Sequence, residues 1–204
     1  MMTVHHVKSA VDAGAIVLDL RPAASFAAGH LPGAVNLRYN PTNMAARAAR
    51  AFPLGLSFVL HADSPGEAST GVALLRAADL HVLGWLAGGL DAWKAAGYPT
   101  ETMTVLSVDD LRRRIGEVLV LDAREEAEYR ESHVPGSLDL PWTDAWWRWR
   151  TVPTGKPVAV ICRTDARSGI VASILRRMGR DAWLVLGGMV DWLQRGYPVE
   201  GGPA

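Results

Sequence analysis

Leu119-Val120-Leu121-Asp122-Ala123-Arg124 decides the fold, because the chain contains it twice. The earlier copy reads Ile16-Val17-Leu18-Asp19-Leu20-Arg21. Each is a short apolar run closed by an acid and a base two residues apart, the pattern of a buried strand with a polar end. The copies stay in register as the chain is followed outward. Gly29-His30-Leu31-Pro32-Gly33-Ala34-Val35-Asn36-Leu37 recurs as Ser132-His133-Val134-Pro135-Gly136-Ser137-Leu138-Asp139-Leu140. Gly88-Gly89-Leu90-Asp91-Ala92-Trp93 is answered by Gly187-Gly188-Met189-Val190-Asp191-Trp192, and Gly97-Tyr98-Pro99 by Gly196-Tyr197-Pro198. A period of about a hundred residues is too long for a solenoid and suits a small domain. The reading is two tandem copies of one domain, 1–100 and 104–204, joined near Thr100 to Leu106.

Within the second copy, strands are expected at Leu119–Leu121, Ser137–Leu138, Val158–Ile161 and Ala182–Val185. Helices are expected at Val108–Ile115, Glu125–Ser132, Trp142–Arg150, Arg167–Met178 and Met189–Arg195. Leu111 and Ile115, and then Ile170, Ile174 and Met178, fall at helical spacing. Apolar strands alternating with amphipathic helices predict an α/β fold, a mainly parallel sheet covered on both faces. Ligands of such sheets collect at the carboxyl ends of the strands.

Composition narrows the function. The 204 residues carry 21 Lys plus Arg against 21 Asp plus Glu. A balanced charge argues against a general nucleic-acid or anionic-membrane partner, since both call for a basic surplus. No apolar run approaches the ~20 residues of a membrane span. The N-terminus lacks the basic and apolar regions of a signal peptide. A single cysteine rules out an internal disulfide, so a free thiol in a reducing, cytoplasmic setting is expected.

That cysteine stands where chemistry is expected. Val158-Ala159-Val160-Ile161 leads into Cys162-Arg163-Thr164-Asp165-Ala166-Arg167-Ser168, with a helix to follow. A helix start offers unpaired N–H groups and partial positive charge, and a tight loop can turn further N–H groups inward. With Arg163 and Arg167 beside it, the thiol should ionise below the roughly 8.5 of a free cysteine. The thiolate is the nucleophilic form, and loop N–H groups could hold a terminal sulfur as an oxyanion hole holds oxygen. A lone cysteine at a strand end is otherwise a small buried hydrophobe. Two arginines, Thr164 and Asp165 are not core surroundings.

The Asp-x-Arg strand end, the His-x-Pro-Gly turn, the Cys-x-x-x-x-Arg-Ser loop and the Gly-Gly-x-x-x-Trp helix start, in that order, resemble the rhodanese family. The resemblance covers nearly all of both repeats. It implies the rhodanese fold twice, with about five strands per sheet, and a thiosulfate sulfurtransferase that needs no metal or organic cofactor. Cys162 would take sulfane sulfur from thiosulfate or a similar small anionic donor and pass it to cyanide or a thiol, with a protein acceptor also possible. Arg163, Thr164, Asp165, Ala166, Arg167 and Ser168 would bind the donor and persulfide, supported by Asp122 and Arg124.

The first repeat departs from the pattern at this loop, Leu60-His61-Ala62-Asp63-Ser64-Pro65-Gly66-Glu67-Ala68. Its cysteine position falls on Ala62 or Asp63, depending on where a one-residue gap is placed, and its loop arginine becomes Glu67 or Ala68. This copy should not transfer sulfur; by family resemblance it would help shape a cleft beside Cys162. From Cys162 to Arg167 is six residues, the sulfurtransferase length in the resembling family, where related phosphatases use one residue more. Phosphatase or arsenate reductase chemistry is therefore a minor alternative. A sulfur-carrier module serving a dedicated partner is another. The Cys-Gly-x-Gly-x-Thr loop of mercaptopyruvate enzymes is absent. Asp165 stands where many relatives have glycine; it could repel an anionic donor or cap the following helix and hold an arginine, and capping is preferred.

Asp19, Arg21, His30 and their counterparts Asp122, Arg124, His133 occur in the inactive copy as well as the active one, which favours structural roles. The first pair should form a salt bridge supporting the loop, and the histidine should hold the Pro-Gly turn. Trp142, Trp146 and Trp149 follow helical spacing, with Trp147 off the stripe, and are read as packing between the repeats. His5 and His6 read as an exposed pair without metal partners.

Overall fold

The computed structural model describes residues 1–202. The chain forms two compact units, Met1–Thr102 and Met103 to the C-terminus.

The first unit runs α1 (Val4–Asp12), β1 (Ile16–Asp19), α2 (Ala23–Ala28), β2 (Val35–Asn36), α3 (Met44–Ala51), β3 (Ser57–His61), α4 (Pro65–Ala77), β4 (His81–Trp85) and α5 (Gly89–Ala95). Its strands lie in the order β2-β1-β3-β4, all parallel. Every residue of β1 is buried, as expected for a parallel strand covered on both faces.

The second unit runs β5 (Val105–Leu106), α6 (Val108–Arg114), β6 (Leu119–Asp122), α7 (Glu126–Glu131), β7 (Leu138–Asp139), α8 (Ala145–Arg148), a 3₁₀ turn (Trp149–Thr151), β8 (Val158–Ile161), α9 (Ala166–Arg177), β9 (Ala182–Val185) and α10 (Gly188–Gln194). The order is β5-β9-β8-β6-β7, again parallel throughout. The parallel α/β class expected from strand–helix alternation is therefore present twice, with four strands in one sheet and five in the other. The difference is at the edge. In the second unit Val105–Leu106, expected in the linker, pairs with β9 as a strand. In the first, only Met2 bridges the edge strand's end, at Leu86.

Three expected helices are shorter, α6, α7 and α8. Trp142 lies outside α8 because its N–H is bonded to the Ala123 carbonyl, 3.2 Å away, which holds it on the path leaving β6. The proposed Trp142–Trp146–Trp149 stripe is thus not one helical face. Trp142 is buried, Trp146 and Trp149 are half-buried and Trp147 is 61 % exposed. Ile115 is likewise past the end of α6, 38 % exposed, while Leu111 is fully buried. In α9, Ile170 and Ile174 are buried as their spacing requires.

Strand pairing places the repeats in register. Ile16 pairs with Phe58 and Leu119 with Val158; Phe58 pairs with Val82 and Val158 with Ala182. The same number of residues separates Phe58 from Val82 as Val158 from Ala182, so no gap lies between them. Ala62 therefore answers Cys162 and Glu67 answers Arg167, which removes the choice between Ala62 and Asp63. Helix α4 simply begins one residue earlier than α9, at Pro65.

Candidate active site

Cys162 follows β8, the central strand of its sheet, and α9 starts four residues later. Its side chain is 1 % exposed, and its sulfur lies 3.4 Å from the Ser168 hydroxyl oxygen. Ser168 also donates to the Asp165 carbonyl at 3.1 Å. The loop backbone is clamped from α10: the Met189 N–H bonds to the Cys162 carbonyl at 2.8 Å and the Val190 N–H to the Arg163 carbonyl at 3.1 Å. This explains the Gly187-Gly188 pair. Gly188 has φ +60°, and a Cβ there would lie 2.5 Å from the carbonyl oxygens of both Cys162 and Arg163. A glycine is needed for the loop to close.

Arg167 does not stand open beside the sulfur, as its sequence position suggested. Glu128, on α7, holds it through both carboxylate oxygens: Nη2 donates to Oε1 at 2.9 Å, and Nη1 donates to Oε2. Burial works against the Arg167 charge, but the hydrogen bond and charge of Glu128, with Cys162 and Glu125 behind it, carry the guanidinium pKa upward. The same bond to Arg167 holds the Glu128 carboxyl below its usual range. Glu128 Oε2 also accepts the Glu125 N–H at 3.1 Å, and Glu125 in turn accepts the Trp142 indole N–H at 3.0 Å.

Arg163 and Thr164 are exposed, and Arg163 makes no ion pair among the described residues. Asp165 occupies the N-cap position of α9 but makes no side-chain capping bond, so the capping preference is not met. The Thr164 hydroxyl lies 3.4 Å from its carboxylate, and its φ of −150° needs no glycine. Ala166 opens the helix.

Asp122 and Arg124 form a buried pair, with Nε 3.0 Å and Nη2 2.7 Å from the carboxylate oxygens. Nη2 also reaches the Ser132 carbonyl at 2.5 Å. The first unit repeats this, with Arg21 Nη2 bonded to Asp19 at 2.6 Å and to the Gly29 carbonyl at 2.6 Å. The salt bridge is as expected, but the segment it holds is the end of α7 or α2 rather than the cysteine loop. The histidines differ similarly. His133 Nδ1 bonds the Tyr129 carbonyl at 2.8 Å and its ring stacks on Tyr129 at 3.8 Å, so it fastens the preceding helix. The Pro-Gly turn is bonded directly by Glu200, which accepts the Gly136 N–H at 3.0 Å, and His133 Nε2 lies 3.7 Å from the same carboxylate oxygen. His5, exposed on α1, bonds the Tyr98 hydroxyl at 3.0 Å.

Glu128, Glu125 and Gly188 were not singled out by sequence as site residues. A signal existed for Glu128: the repeat lacking the loop arginine also lacks this acid, with Ser25 in its place. Among the described residues no cluster of three or more histidine, cysteine or acidic side chains could hold a metal, and no helix is long and apolar enough to cross a membrane.

The model of the rhodanese-like domain matches residues 3–96 and again 107–195. The chain belongs to the rhodanese family. Relatives match it over about the length of one domain. A sulfurtransferase of Allochromatium vinosum is 32 % identical over 84 residues, 41 % of this chain and 78 % of that protein. The protein YqhL of Bacillus subtilis is 28 % identical over 96 residues, 47 % of this chain and 76 % of its own length. Among solved structures, a rhodanese-related protein of Thermoplasma volcanium is 30 % identical and covers 48 % of this chain and 97 % of its own, with a TM-score of 0.46.

Proposed function

We propose that the protein is a sulfurtransferase in which Cys162 carries sulfane sulfur as a persulfide, taken from thiosulfate or a similar donor and passed to cyanide or a thiol. The observation that carries this reading is the placement of the chain's one cysteine between β8 and α9, 3.4 Å from a hydroxyl and in a loop clamped by α10. Sulfurtransferase relatives of the same family support it.

The residues divide the work as follows. Cys162 attacks the outer sulfur of the donor, the donor's S–S bond breaks, and the leaving group departs with its electron pair. With thiosulfate, thiolate and dianion give the cysteine persulfide anion and sulfite. An acceptor thiolate or cyanide then takes the outer sulfur and restores the Cys162 thiolate. Ser168 and the first-turn N–H groups of α9 stabilise the anionic sulfur. Arg163 meets the donor at the rim, and Arg167 orders the loop. The first unit, with Ala62 and Glu67 in the decisive places, does not transfer sulfur.

A second reading is a carrier that releases sulfur only to a docked protein. The 1 % exposure of Cys162 favours it, since an acceptor must enter or open the loop.

The test is intact mass after thiosulfate treatment, before and after cyanide. A gain of about 32 daltons, one sulfur atom, lost to cyanide as thiocyanate and absent in Cys162→Ser, is expected. An unmodified protein with its thiol free, under every sulfane donor tried, removes the proposal. Stable loading with negligible turnover on cyanide selects the carrier.

A further inference from the structure

The loop around Cys162 looks cationic in sequence, but its charge is largely spent internally. Arg167 is bound by both carboxylate oxygens of Glu128, and its side chain is only 20 % exposed. Glu125 stands behind the pair, its backbone N–H on Glu128 and its carboxylate on the Trp142 indole. Asp165 adds a carboxylate within the loop, at a backbone angle that any residue can adopt. Of the loop's two guanidiniums, Arg163 and Arg167, one is thus paired. The remaining cation, Arg163, is exposed, where solvent and salt screen it.

A dianion approaching a thiolate needs compensating charge, and here the Arg167 guanidinium is already compensated. A hydropersulfide, R–S–SH, needs far less. We infer that Glu128 is a specificity-determining residue that turns the Cys162 site away from dianionic donors and toward organic or protein hydropersulfides. This rests on the sulfur-transfer reading above and names its donor class. The step is balanced without any other reactant: Cys162–S⁻ attacks the terminal sulfur of R–S–SH, the S–S bond of the donor breaks, and Cys162–S–SH and R–S⁻ result. No net redox change occurs, and the proton stays on the transferred sulfur.

Charge placement within the chain agrees. The repeat that has lost the cysteine has Ser25 for Glu128 and Glu67 for Arg167, so both members of the pair are replaced together. The acid accompanies the arginine where the thiol is kept.

The experiment measures the second-order rate of sulfur loading by intact mass, with thiosulfate and with glutathione hydropersulfide, for the natural protein, Glu128→Gln and Asp165→Asn. Glutathione hydropersulfide should load the natural protein faster than thiosulfate does. Glu128→Gln frees Arg167 and should raise the thiosulfate rate on the order of ten-fold, the size expected of one unit charge acting on a dianion across a partly solvated loop. The gain should shrink with added salt, which a purely structural effect would not do. Asp165→Asn, which leaves the Glu128 pair intact, should move the rate the same way. The hydropersulfide rate should change less than about two-fold, since the charged groups of glutathione lie several bonds away from the reacting sulfur. A thiosulfate rate that is unchanged or lower in both variants, or a natural protein that prefers thiosulfate, overturns the inference while leaving sulfur transfer intact. Failure of the natural protein to load from either donor overturns the sulfur-transfer reading itself.

Discussion

The Cys162 sulfur and the Ser168 hydroxyl oxygen stand 3.4 Å apart, although one directly follows β8 and the other lies in the first turn of α9. Ser168 has a second partner, the Asp165 carbonyl at 3.1 Å. With a neutral thiol the hydroxyl accepts S–H and donates to the carbonyl. With a thiolate it can rotate and donate to sulfur. A hydrogen bond to a charged group is worth about 1.5–3 kcal/mol, so Ser168→Ala should slow alkylation of Cys162 at neutral pH about ten-fold or more. Iodoacetamide labelling followed by mass spectrometry measures this. An unchanged rate would show that the hydroxyl does not serve the thiolate.

Arg124 makes a different kind of contribution. It bridges Asp122 at the end of β6 and the Ser132 carbonyl at the end of α7, and both charged side chains are almost wholly buried. Removing one partner of such a pair leaves a buried charge uncompensated and costs about 3–5 kcal/mol. Arg124→Ala should therefore lower the denaturant midpoint of the second unit sharply. Arg124→Lys should recover little, because a lysine cannot make the forked contact. Urea unfolding followed by the near-ultraviolet signal of the tryptophans checks both.

The Glu128–Arg167 pair predicts a pH dependence whose sign is fixed. The folded carboxyl titrates below its ordinary value because Arg167 is hydrogen-bonded to it. Its stabilising effect is present in full above the unfolded pKa, near 4.5, and is lost as pH falls through the folded value. At neutral pH Glu128→Gln should be less stable by about 1 kcal/mol at most, since the pair is partly exposed. The two melting curves should converge as the buffer is taken from pH 6 toward pH 3. Parallel curves over that range would mean that the ionised carboxylate adds nothing to stability.

Sequence carried the fold because the information was local and repeated: β1 and β6 end in the same Asp-x-Arg, and both are buried apolar strands. The Cys162 loop was legible for the same reason. What escaped was contact between residues far apart in the chain. Glu128 lies 39 residues from Arg167, and no periodicity links an acid on one helix to a base on another. Gly188 was visible as part of a repeated motif, but its closeness to the Cys162 carbonyl arises only when α10 folds onto the loop. Trp142 misled because helical spacing was counted through a residue whose N–H belongs to a strand path.

The register between repeats yields a constructive test of what the site requires. Ala62 and Glu67 answer Cys162 and Arg167, so Ala62→Cys with Glu67→Arg restores the two most conspicuous residues to the first unit. In a Cys162→Ser background this double variant should still fail to gain sulfur from thiosulfate or hydropersulfide. Ala68 offers no hydroxyl where the second unit has Ser168. Its helix also begins at Pro65, which has no N–H to offer, one residue ahead of the start of α9. Beneath the loop lies His61, 3 % exposed, with neither ring nitrogen hydrogen-bonded and its pKa lowered by burial, so it brings no positive charge at neutral pH. Adding Ala68→Ser should produce a detectable adduct of one sulfur atom by intact mass. Loading of the double variant at the rate of the natural protein would instead mean that a cysteine at a strand end and one arginine suffice, and that Ser168 is dispensable.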